Sequence, residues 1–261
     1  MPTEETTAPS TTPRRIALVT GANQGVGRQV ALELAAAGVT VFVGSRDLAR
    51  GKAAAAEIGQ GATALQIDVT DTASIARAAA TIDATYGRLD LLVSNAGISN
   101  VGGADRTPEE NAASSKASTA SLDEIRAVWD VNVFGVVAVY QAMLPLLRKG
   151  VDARIVTVSS GVGSLTANAD PTYPYHSMFG PVYPASKAAE NAMALAMMVE
   201  LEDTDIKINL VSPGYTSTAL NNFNGTDTIE EGSREVVRVA LLGPDGPTGT
   251  FTRWEDTTIP W

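Results

Sequence analysis

From about residue 15 onward, short runs of branched apolar residues alternate with longer alanine-rich segments in which apolar positions recur at helical spacing. Such alternation is typical of repeated β-α-β units, whose parallel strands form one sheet with helices on both faces. The pattern predicts strands at 16–20, 40–43, 63–67, 89–93, 154–158 and 206–211 and a short one near Thr250. It predicts helices that begin near Gly25, Leu48, Thr72, Leu122, Tyr183 and Ile229. The expected fold class is therefore α/β, a doubly wound, mostly parallel sheet of seven strands.

Helix boundaries carry their own signals. Gly38 and Gly59 are expected to end the first two helices, while Asp47 and either Thr70 or Asp71 are expected to cap the second and third. We expect residues 14–261 to form one domain. The preceding residues 1–13 lack the basic start and apolar core of a signal peptide and are expected to be a disordered tail.

Two segments do not follow the alternating pattern. Residues 99–121 are rich in Ala and Ser and predict a flexible loop. Residues 161–182 are interrupted by glycines and prolines and contain several aromatic residues. A loop of this length inside a compact domain is usually functional, and its lone His176 is interpreted as a loop residue.

Composition and charge exclude several classes of function. The net charge of −10 disfavours binding to nucleic acid or to an anionic membrane surface. The most apolar run, 133–147, contains Gly135, Gln141 and Pro145, so it predicts a buried helix and no membrane span. The chain has no Cys, which removes disulfides, thiolate metal sites and thiol nucleophiles and fits a reducing, cytoplasmic compartment. No metal is implied.

The first predicted strand runs into the sequence TGANQGVG, which places Gly21, Gly25 and Gly27 where strand turns into helix. Such a turn lets the backbone approach a pyrophosphate, and the helix N-terminus supplies free N–H groups. Glycine-rich turns are also common for structural reasons alone. The strand-turn-helix context favours the dinucleotide site.

The second strand ends in GSRD, where an acidic residue would accept hydrogen bonds from the ribose of NAD. Ser45 stands there instead, followed by Arg46, which could form charge-assisted bonds to a 2′-phosphate. An ordinary solvated arginine is the alternative. Asp47 is better explained as a helix cap.

Further small and polar residues follow the later strands: Asp68 and Val69, then Asn95, Ala96 and Gly97, then Ser159 and Ser160. The carboxyl edge of a parallel sheet is where cofactors bind. Asn132 lies inside an apolar helical run, either as a structural hydrogen-bonding group or as a link in a proton relay.

Tyr183 and Lys187 are four residues apart and therefore lie on one helical face. An ammonium about 5 Å away would stabilise a phenolate by roughly 3 kcal/mol at an effective dielectric near 20. The pKa of Tyr183 is thus expected to fall towards neutrality, where the hydroxyl can give a proton to a carbonyl oxygen.

These motifs, in this order, resemble the short-chain dehydrogenase/reductase family over about residues 15–251. The resemblance implies a Rossmann-like fold and a catalytic tetrad of Asn132, Ser160, Tyr183 and Lys187, with Ser160 preferred over Ser159. It implies a nicotinamide against Pro213 and Gly214, with Thr216 or Thr218 near its carboxamide. The positions expected to contact the cofactor are Gly21, Asn23, Gln24, Gly25, Val26, Gly27, Ser45, Arg46, Asp68, Val69, Asn95, Ala96, Gly97, Tyr183, Lys187, Pro213, Gly214, Thr216 and Thr218.

The pattern around Arg46 is most similar to that of carbonyl reductases that use NADPH, although Gln24 stands where many of them carry a basic residue. The hypothesis is an NADP(H)-dependent enzyme that reduces a ketone or aldehyde to an alcohol, reversibly. Its Tyr183 is the acid, Ser160 orients the carbonyl, Lys187 assists the tyrosine and holds the ribose, and Asn132 supports a water relay. A reductase of acyl groups on a carrier protein and a catalytically silent NADP-binding redox sensor are the alternatives.

The substrate pocket is expected to be mostly apolar and to suit an apolar or aromatic carbonyl compound. Seven side chains from the irregular segments are expected to form it: Leu165, Tyr175, Met178, Phe179, Tyr215, Leu220 and Phe223. The family resemblance also implies pairing through helices at 122–147 and 183–201, as a homodimer or homotetramer.

Overall fold

The branched apolar runs pair side by side in one sheet in the computed structural model, which describes residues 14–102 and 106–261. The strands are β1 Ile16–Val19, β2 Thr40–Ser45, β3 Thr63–Gln66, β4 Leu91–Ser94, β5 Arg154–Val158, β6 Lys207–Val211, β7 Phe251–Arg253 and β8 Thr257–Thr258. Their order is β3-β2-β1-β4-β5-β6-β7-β8, parallel except for the antiparallel β7–β8 pair. Because the chain order reverses between β1 and β4, a crevice opens at the carboxyl ends of these two strands.

The predicted α/β class is confirmed, and the seven predicted strands are all present. The sheet has an eighth strand that the sequence analysis missed, because two residues are too few to show any alternation. The predicted disordered tail, 1–13, lies outside the described residues.

The six predicted helices all begin where the sequence predicts them. The α-helices of the described residues are α1 Gly25–Ala36, α2 Leu48–Ile58, α3 Thr72–Tyr86, α4 Pro108–Ser114, α5 Leu122–Trp129, α6 Gly135–Leu147, α7 Leu165–Ala169, α8 Tyr183–Glu200 and α9 Ile229–Ala240. The side chain of Asp47 caps α2, and that of Asp71, not Thr70, caps α3. Gly59 ends α2 at a φ of +66°, a conformation that favours glycine.

The two segments predicted as loops each contain a short helix, so that prediction is wrong in part. In the first, Thr107 and Glu110 cap each other's backbone at the start of α4, a signal present in the sequence. In the second, α7 is bonded to residues 260 and 261: Ser164 Oγ donates to the Pro260 carbonyl (2.5 Å) and Thr166 N–H to the Trp261 carbonyl (2.9 Å). Only the folded chain brings these residues together.

The sheet separates two apolar cores. Leu18 and Leu92 face α3, α6 and α8, whereas Val19 and Val93 face α1, α2 and α9. This alternation follows from the two-residue period of a strand. It leaves the carboxyl ends of the strands free to carry the polar residues of the site.

Helices α5 and α6 are joined without a break by a π-helical segment, Asp130–Phe134. The resulting stretch, Leu122–Leu147, is the one helix among the described residues that is long and apolar enough to cross a membrane, by length and composition. Half of its most apolar part is buried inside the fold, and Val139 and Met143 belong to the core. We therefore interpret it as a core helix.

Candidate active site

The glycine-rich turn between β1 and α1 packs directly against the turn that follows β4. Gly21 and Gly25 have φ values of +64° and +57°. A Cβ on Gly21 would lie 2.9 Å from Ala96 Cα, so a side chain there has no room. The amide of Asn95 donates to the Thr20 carbonyl (2.8 Å) and thereby ties the two turns together.

This turn fits a pyrophosphate. Gln24, at the N-cap of α1, makes no side-chain cap, and the first turn of α1 carries no acidic residue. The N–H groups at the start of α1 therefore lack the partners that a capping side chain would supply. A Cβ on Gly25 would lie 3.6 Å from Thr218 Cγ2, so the segment after β6 crosses in front of the turn. Asn23 and Val26, in the same turn, are partly buried.

The segment after β6 separates the two threonines expected near the nicotinamide. Thr218 faces Gly25 across the cleft. Thr216 is buried, its hydroxyl donates to the Pro213 carbonyl (2.8 Å), and it packs against Gly232 of α9. Of the pair, Thr218 is therefore the one beside the glycine turn, and the cofactor contact expected for Thr216 or Thr218 stays a prediction.

The end of β2 places its two polar residues differently. Ser45 is buried and its hydroxyl donates to the Asp47 carbonyl (2.8 Å), so it shapes the turn into α2. Arg46 is exposed. Arg50, one turn into α2, is also exposed and donates to the side chain of Gln24 in the glycine turn. The sequence analysis missed Arg50, although its position one turn after the Asp47 cap was a usable signal.

Asp68 and Val69 lie at the same sheet edge, after β3. The carboxylate of Asp68 accepts from the Thr70 N–H (2.9 Å) and hydroxyl (2.7 Å), which fixes the turn into α3. Val69 is partly buried and packs against the core.

Ser160, Tyr183 and Lys187 meet at the carboxyl end of β5. The Ser160 side chain is a hydrogen-bonding neighbour of the Tyr183 hydroxyl and lowers the pKa of Tyr183. Lys187 Nζ lies 6.0 Å from the centroid of the Tyr183 ring and donates to the Val158 carbonyl (3.0 Å). A Cβ on Gly97 would lie 3.7 Å from the same Nζ, so the cluster adjoins the turn after β4. The cleft can thus present a hydroxyl pair and a cation to one bound group.

Ser159, in contrast, points away from this cluster. Its hydroxyl donates to the side chain of Asn191 on α8 (2.5 Å), and both groups are buried. The structure therefore places Ser160, the serine preferred from the sequence, beside Tyr183.

The side chain of Asn132 makes three hydrogen bonds within the fold. It accepts from the Ile98 N–H (2.9 Å) and donates to the Ile98 carbonyl (2.9 Å) and to Ser186 Oγ (3.0 Å). These bonds join the π-helical segment to α8 and to the turn after β4. The side chain is therefore a structural hydrogen-bonding group, and its part in a proton relay stays a prediction.

Glu190 is a member of the cluster that the sequence analysis missed. Its carboxylate accepts from Lys187 Nζ at 2.6 Å, and the two side chains are 1% and 5% exposed. The i,i+3 spacing from Lys187 was visible in the sequence. Its complete burial was not.

The expected pKa of Tyr183 is wrong in direction. Burial of the hydroxyl raises the pKa of Tyr183 above its ordinary value, and the lowering by Lys187 is opposed by the charge of Glu190. Burial also disfavours the ammonium of Lys187, but Glu190 and Tyr183 outweigh it, so the pKa of Lys187 is raised. The sequence argument counted one neighbouring charge and omitted desolvation.

The segments expected to surround a substrate do adjoin one another. Ser99 Oγ donates to the Leu220 carbonyl (2.5 Å), and a Cβ on Gly180 would lie 2.7 Å from the Ser115 carbonyl oxygen. Large apolar side chains in these segments remain exposed: Leu165, Tyr175, Met178, Tyr215, Leu220 and Phe223. Phe179 is partly buried. His176 is exposed, with Nδ1 2.8 Å from the Asn168 carbonyl, as suits a loop residue.

The family model for short chain dehydrogenase matches residues 15–228, which is most of the chain. The chain belongs to the short-chain dehydrogenase family. The expectation drawn from the motifs is confirmed, and the protein is accordingly an oxidoreductase of a family that binds a nicotinamide cofactor.

Individual relatives cover almost the whole chain. A short-chain dehydrogenase, anuI, from Penicillium roqueforti is 34% identical over 254 residues, which span 94% of this chain and 96% of that one. The structure of salutaridine reductase from Papaver somniferum is similar with a TM-score of 0.76 and 28% identity, over 91% of this chain and 99% of that one. A short-chain dehydrogenase/reductase from Burkholderia multivorans with bound NADP has a TM-score of 0.78 and 25% identity, over 95% of this chain and all of the other.

Proposed function

We propose that this short-chain dehydrogenase reduces a ketone or aldehyde to an alcohol with NADPH, reversibly. The observation that carries the proposal is the contact of Ser160 with Tyr183, beside Lys187, at the sheet edge that also holds the glycine turn. A proton donor and a phosphate-binding turn are thus next to the same crevice. That arrangement suits proton transfer to a substrate held against a dinucleotide.

Each residue of the cluster has a separate task in this proposal. When bound, the nicotinamide supplies the hydride that the carbonyl carbon receives. Tyr183 donates its proton to the carbonyl oxygen, Ser160 orients that oxygen by a hydrogen bond, and solvent returns a proton to Tyr183. One carbonyl, one NADPH and one proton become one alcohol and one NADP⁺. Lys187 holds the ribose, and Asn132 positions α8 through Ser186.

The choice of NADPH over NADH rests on charge. Arg46 and Arg50 are both exposed at the end of the cleft where the adenosine ribose would lie. A guanidinium suits a 2′-phosphate, because it offers several N–H donors in a planar fork. The relative with bound NADP supports the same choice. Gly21, Gly25, Gly27 and Thr218 would hold the pyrophosphate.

The exposed apolar side chains around the cleft support an apolar or aromatic carbonyl substrate, and a relative named as a reductase of salutaridine fits this class. We further propose that residues 14–261 form one domain, that the enzyme works in the cytoplasm without a metal, and that it assembles as a homodimer or homotetramer. The absence of Cys and the net charge of −10 support the compartment and the lack of a nucleic-acid or membrane partner.

The proposal is tested by replacing Tyr183 with Phe, which keeps the ring and removes the proton. With NADPH and a panel of aryl ketones, turnover is expected to fall by about 10² to 10⁴ while NADPH binding, measured by fluorescence titration, persists. Tyr86→Phe, at the exposed end of α3, is the matched control and is expected to keep its activity.

A Tyr183→Phe variant that retained most of its kcat would overturn the assignment of the acid. Turnover with acyl groups on a carrier protein but with no free ketone would instead support the alternative function, a reductase of carrier-bound acyl groups. NADPH binding without turnover of either substrate class would select the redox sensor.

A further inference from the structure

A buried carboxylate lies beside the cluster, and the proposed reaction has no use for it. Glu190 is 1% exposed and sits on α8 with Tyr183 and Lys187, three residues beyond the lysine and seven beyond the tyrosine. Residues at this spacing share one helical face. The three ionisable groups therefore form one row along the helix.

The contacts of Lys187 fix its ammonium in place. Nζ donates to the Val158 carbonyl at 3.0 Å and to Glu190 Oε2 at 2.6 Å. A lysine stem has many rotamers of similar energy, and one neutral carbonyl is a weak tether for it. The carboxylate adds the charge-assisted bond that makes one position favourable.

Glu190 also changes the field at Tyr183. An isolated ammonium would stabilise the phenolate strongly, whereas an ammonium paired with a carboxylate acts as a dipole whose two ends largely offset each other. Accordingly, burial and the charge of Glu190 together outweigh Lys187 and keep the pKa of Tyr183 above its ordinary value. The burial of Glu190 raises its own pKa, and Lys187 opposes this.

Charged groups on the neighbouring elements do not act on Tyr183, because they face solvent or are paired with an opposite charge. On α5, Asp123 pairs with Arg126 at the surface and Glu124 pairs with Arg106. Asp130, in the π-helical segment, is exposed.

On β6, Lys207 pairs in register with Arg154 at the amino end, four residues before the level of Val158. Four residues of strand separate these levels by about 13 Å. Among the described residues, the charges that act on Tyr183 are thus those of Lys187 and Glu190.

We propose that Glu190 is a positioning residue that holds the Lys187 ammonium and offsets its charge, so that Tyr183 stays in the proton-donating form and carbonyl reduction extends to alkaline pH. This inference rests on the proposed function for its consequence in turnover. The effect of Glu190 on the ionisation of Tyr183 does not depend on the proposed function and can be measured without a substrate.

The sign of the effect follows from the two directions of the reaction. Reduction requires the Tyr183 hydroxyl and is lost as pH rises through the pKa of that group. Oxidation of the alcohol requires the phenolate and appears only above it. A carboxylate that favours the protonated hydroxyl therefore extends reduction to higher pH and moves the onset of oxidation to higher pH.

The test titrates Tyr183 directly, without substrate. The ultraviolet phenolate absorbance of each protein, minus that of the same protein carrying Tyr183→Phe, is followed against pH. Glu190→Gln is expected to lower the midpoint by about one pH unit, because it removes one nearby charge at an effective dielectric near 20. Glu190→Asp, which keeps the charge, is expected to stay nearer the parent protein. Glu202→Gln, exposed just past α8, is the matched control and is expected to cause no change.

An unchanged or higher midpoint in Glu190→Gln would overturn the proposal. If Glu190→Gln does not fold, the titration of the parent protein tests the proposal, because the proposal requires a Tyr183 midpoint no lower than that of a free tyrosine. The pH limits of reduction and oxidation should both move with the titration midpoint. A titration shift without turnover of any ketone would instead uphold the electrostatics and reject the proposed function.

Discussion

At the scale of single residues, the adenosine end of the cleft presents positive charge. Ser45 and Arg46 occupy the end of β2, where an acidic side chain would accept from the ribose of NAD. Ser45 is turned into the fold, whereas Arg46 and Arg50 are exposed. Arg50 already contacts that turn through Gln24.

Replacing Arg46 with Ala is expected to weaken NADPH binding by about 1.5 to 3 kcal/mol, the worth of a charge-assisted contact, and to leave NADH binding nearly unchanged. Arg50→Ala is expected to act in the same direction. Calorimetric titration with both cofactors measures the effect. Arg148→Ala, exposed at the end of α6, removes the same charge far from the cleft and serves as the control. Equal losses for NADPH and NADH would contradict the assignment.

At the scale of elements, α1 can approach the turn after β4 only because its first turn contains glycine. A Cβ on Gly27 would overlap the Asn95 amide and lie 2.8 Å from the Gly21 carbonyl oxygen. The same amide holds the glycine turn through the Thr20 carbonyl. The helix, the turn and the strand end are therefore positioned as one unit.

Gly27→Ala is expected to displace the Asn95 amide and to lower the free energy of unfolding by about 1 to 3 kcal/mol, as overpacking does. At about 2–4 °C per kcal/mol, this lowers Tm by roughly 2 to 12 °C. Stabilisation by added NADPH should shrink at the same time. Gly243→Ala, with open space around the new methyl group, is the control and should change the free energy by less than about 0.5 kcal/mol. Similar thermal shifts in the two variants would refute the packing argument.

At the scale of the whole molecule, the outer surface of α6 and α8 is apolar. A groove of about 310 Å³ runs between the two helices, lined by Val137, Tyr140, Gln141, Leu144, Met193, Ala196, Met197 and Glu200. Leu195 and Val199 of α8 are exposed beside it. A continuous apolar surface of this kind is costly to leave in water and marks a site of association.

Light scattering is expected to return two or four times the 27.1 kDa mass of one chain. Met193→Glu introduces a carboxylate into the groove and should shift the mass towards one chain. Leu241→Glu places the same charge at the end of α9, on the opposite face of the sheet, and should leave the mass unchanged. A parent protein that already measures as one chain would reject the assembly.

The sequence by itself determined seven of the strands and the starts of six helices. The starts of α1, α2, α3, α5, α8 and α9 were predictable because caps, glycines and periodicity act over a few neighbouring residues. The family and the residue types of the cleft followed from motifs with fixed spacing. The same local signals did not report β8, which is too short to show a pattern.

The tertiary structure decided which of these residues act together. The sequence preferred Ser160 to Ser159 through the family resemblance alone, and the contact of Ser159 with Asn191 on α8 supplies the physical reason. The spacing of Tyr183 and Lys187 predicted a lowered pKa, but burial and Glu190 raise it. Burial depends on every element that packs around a group, and a contact between distant residues exists only after the chain has folded. For that reason the sequence could identify the groups of the site, while their charge states and partners required the complete fold.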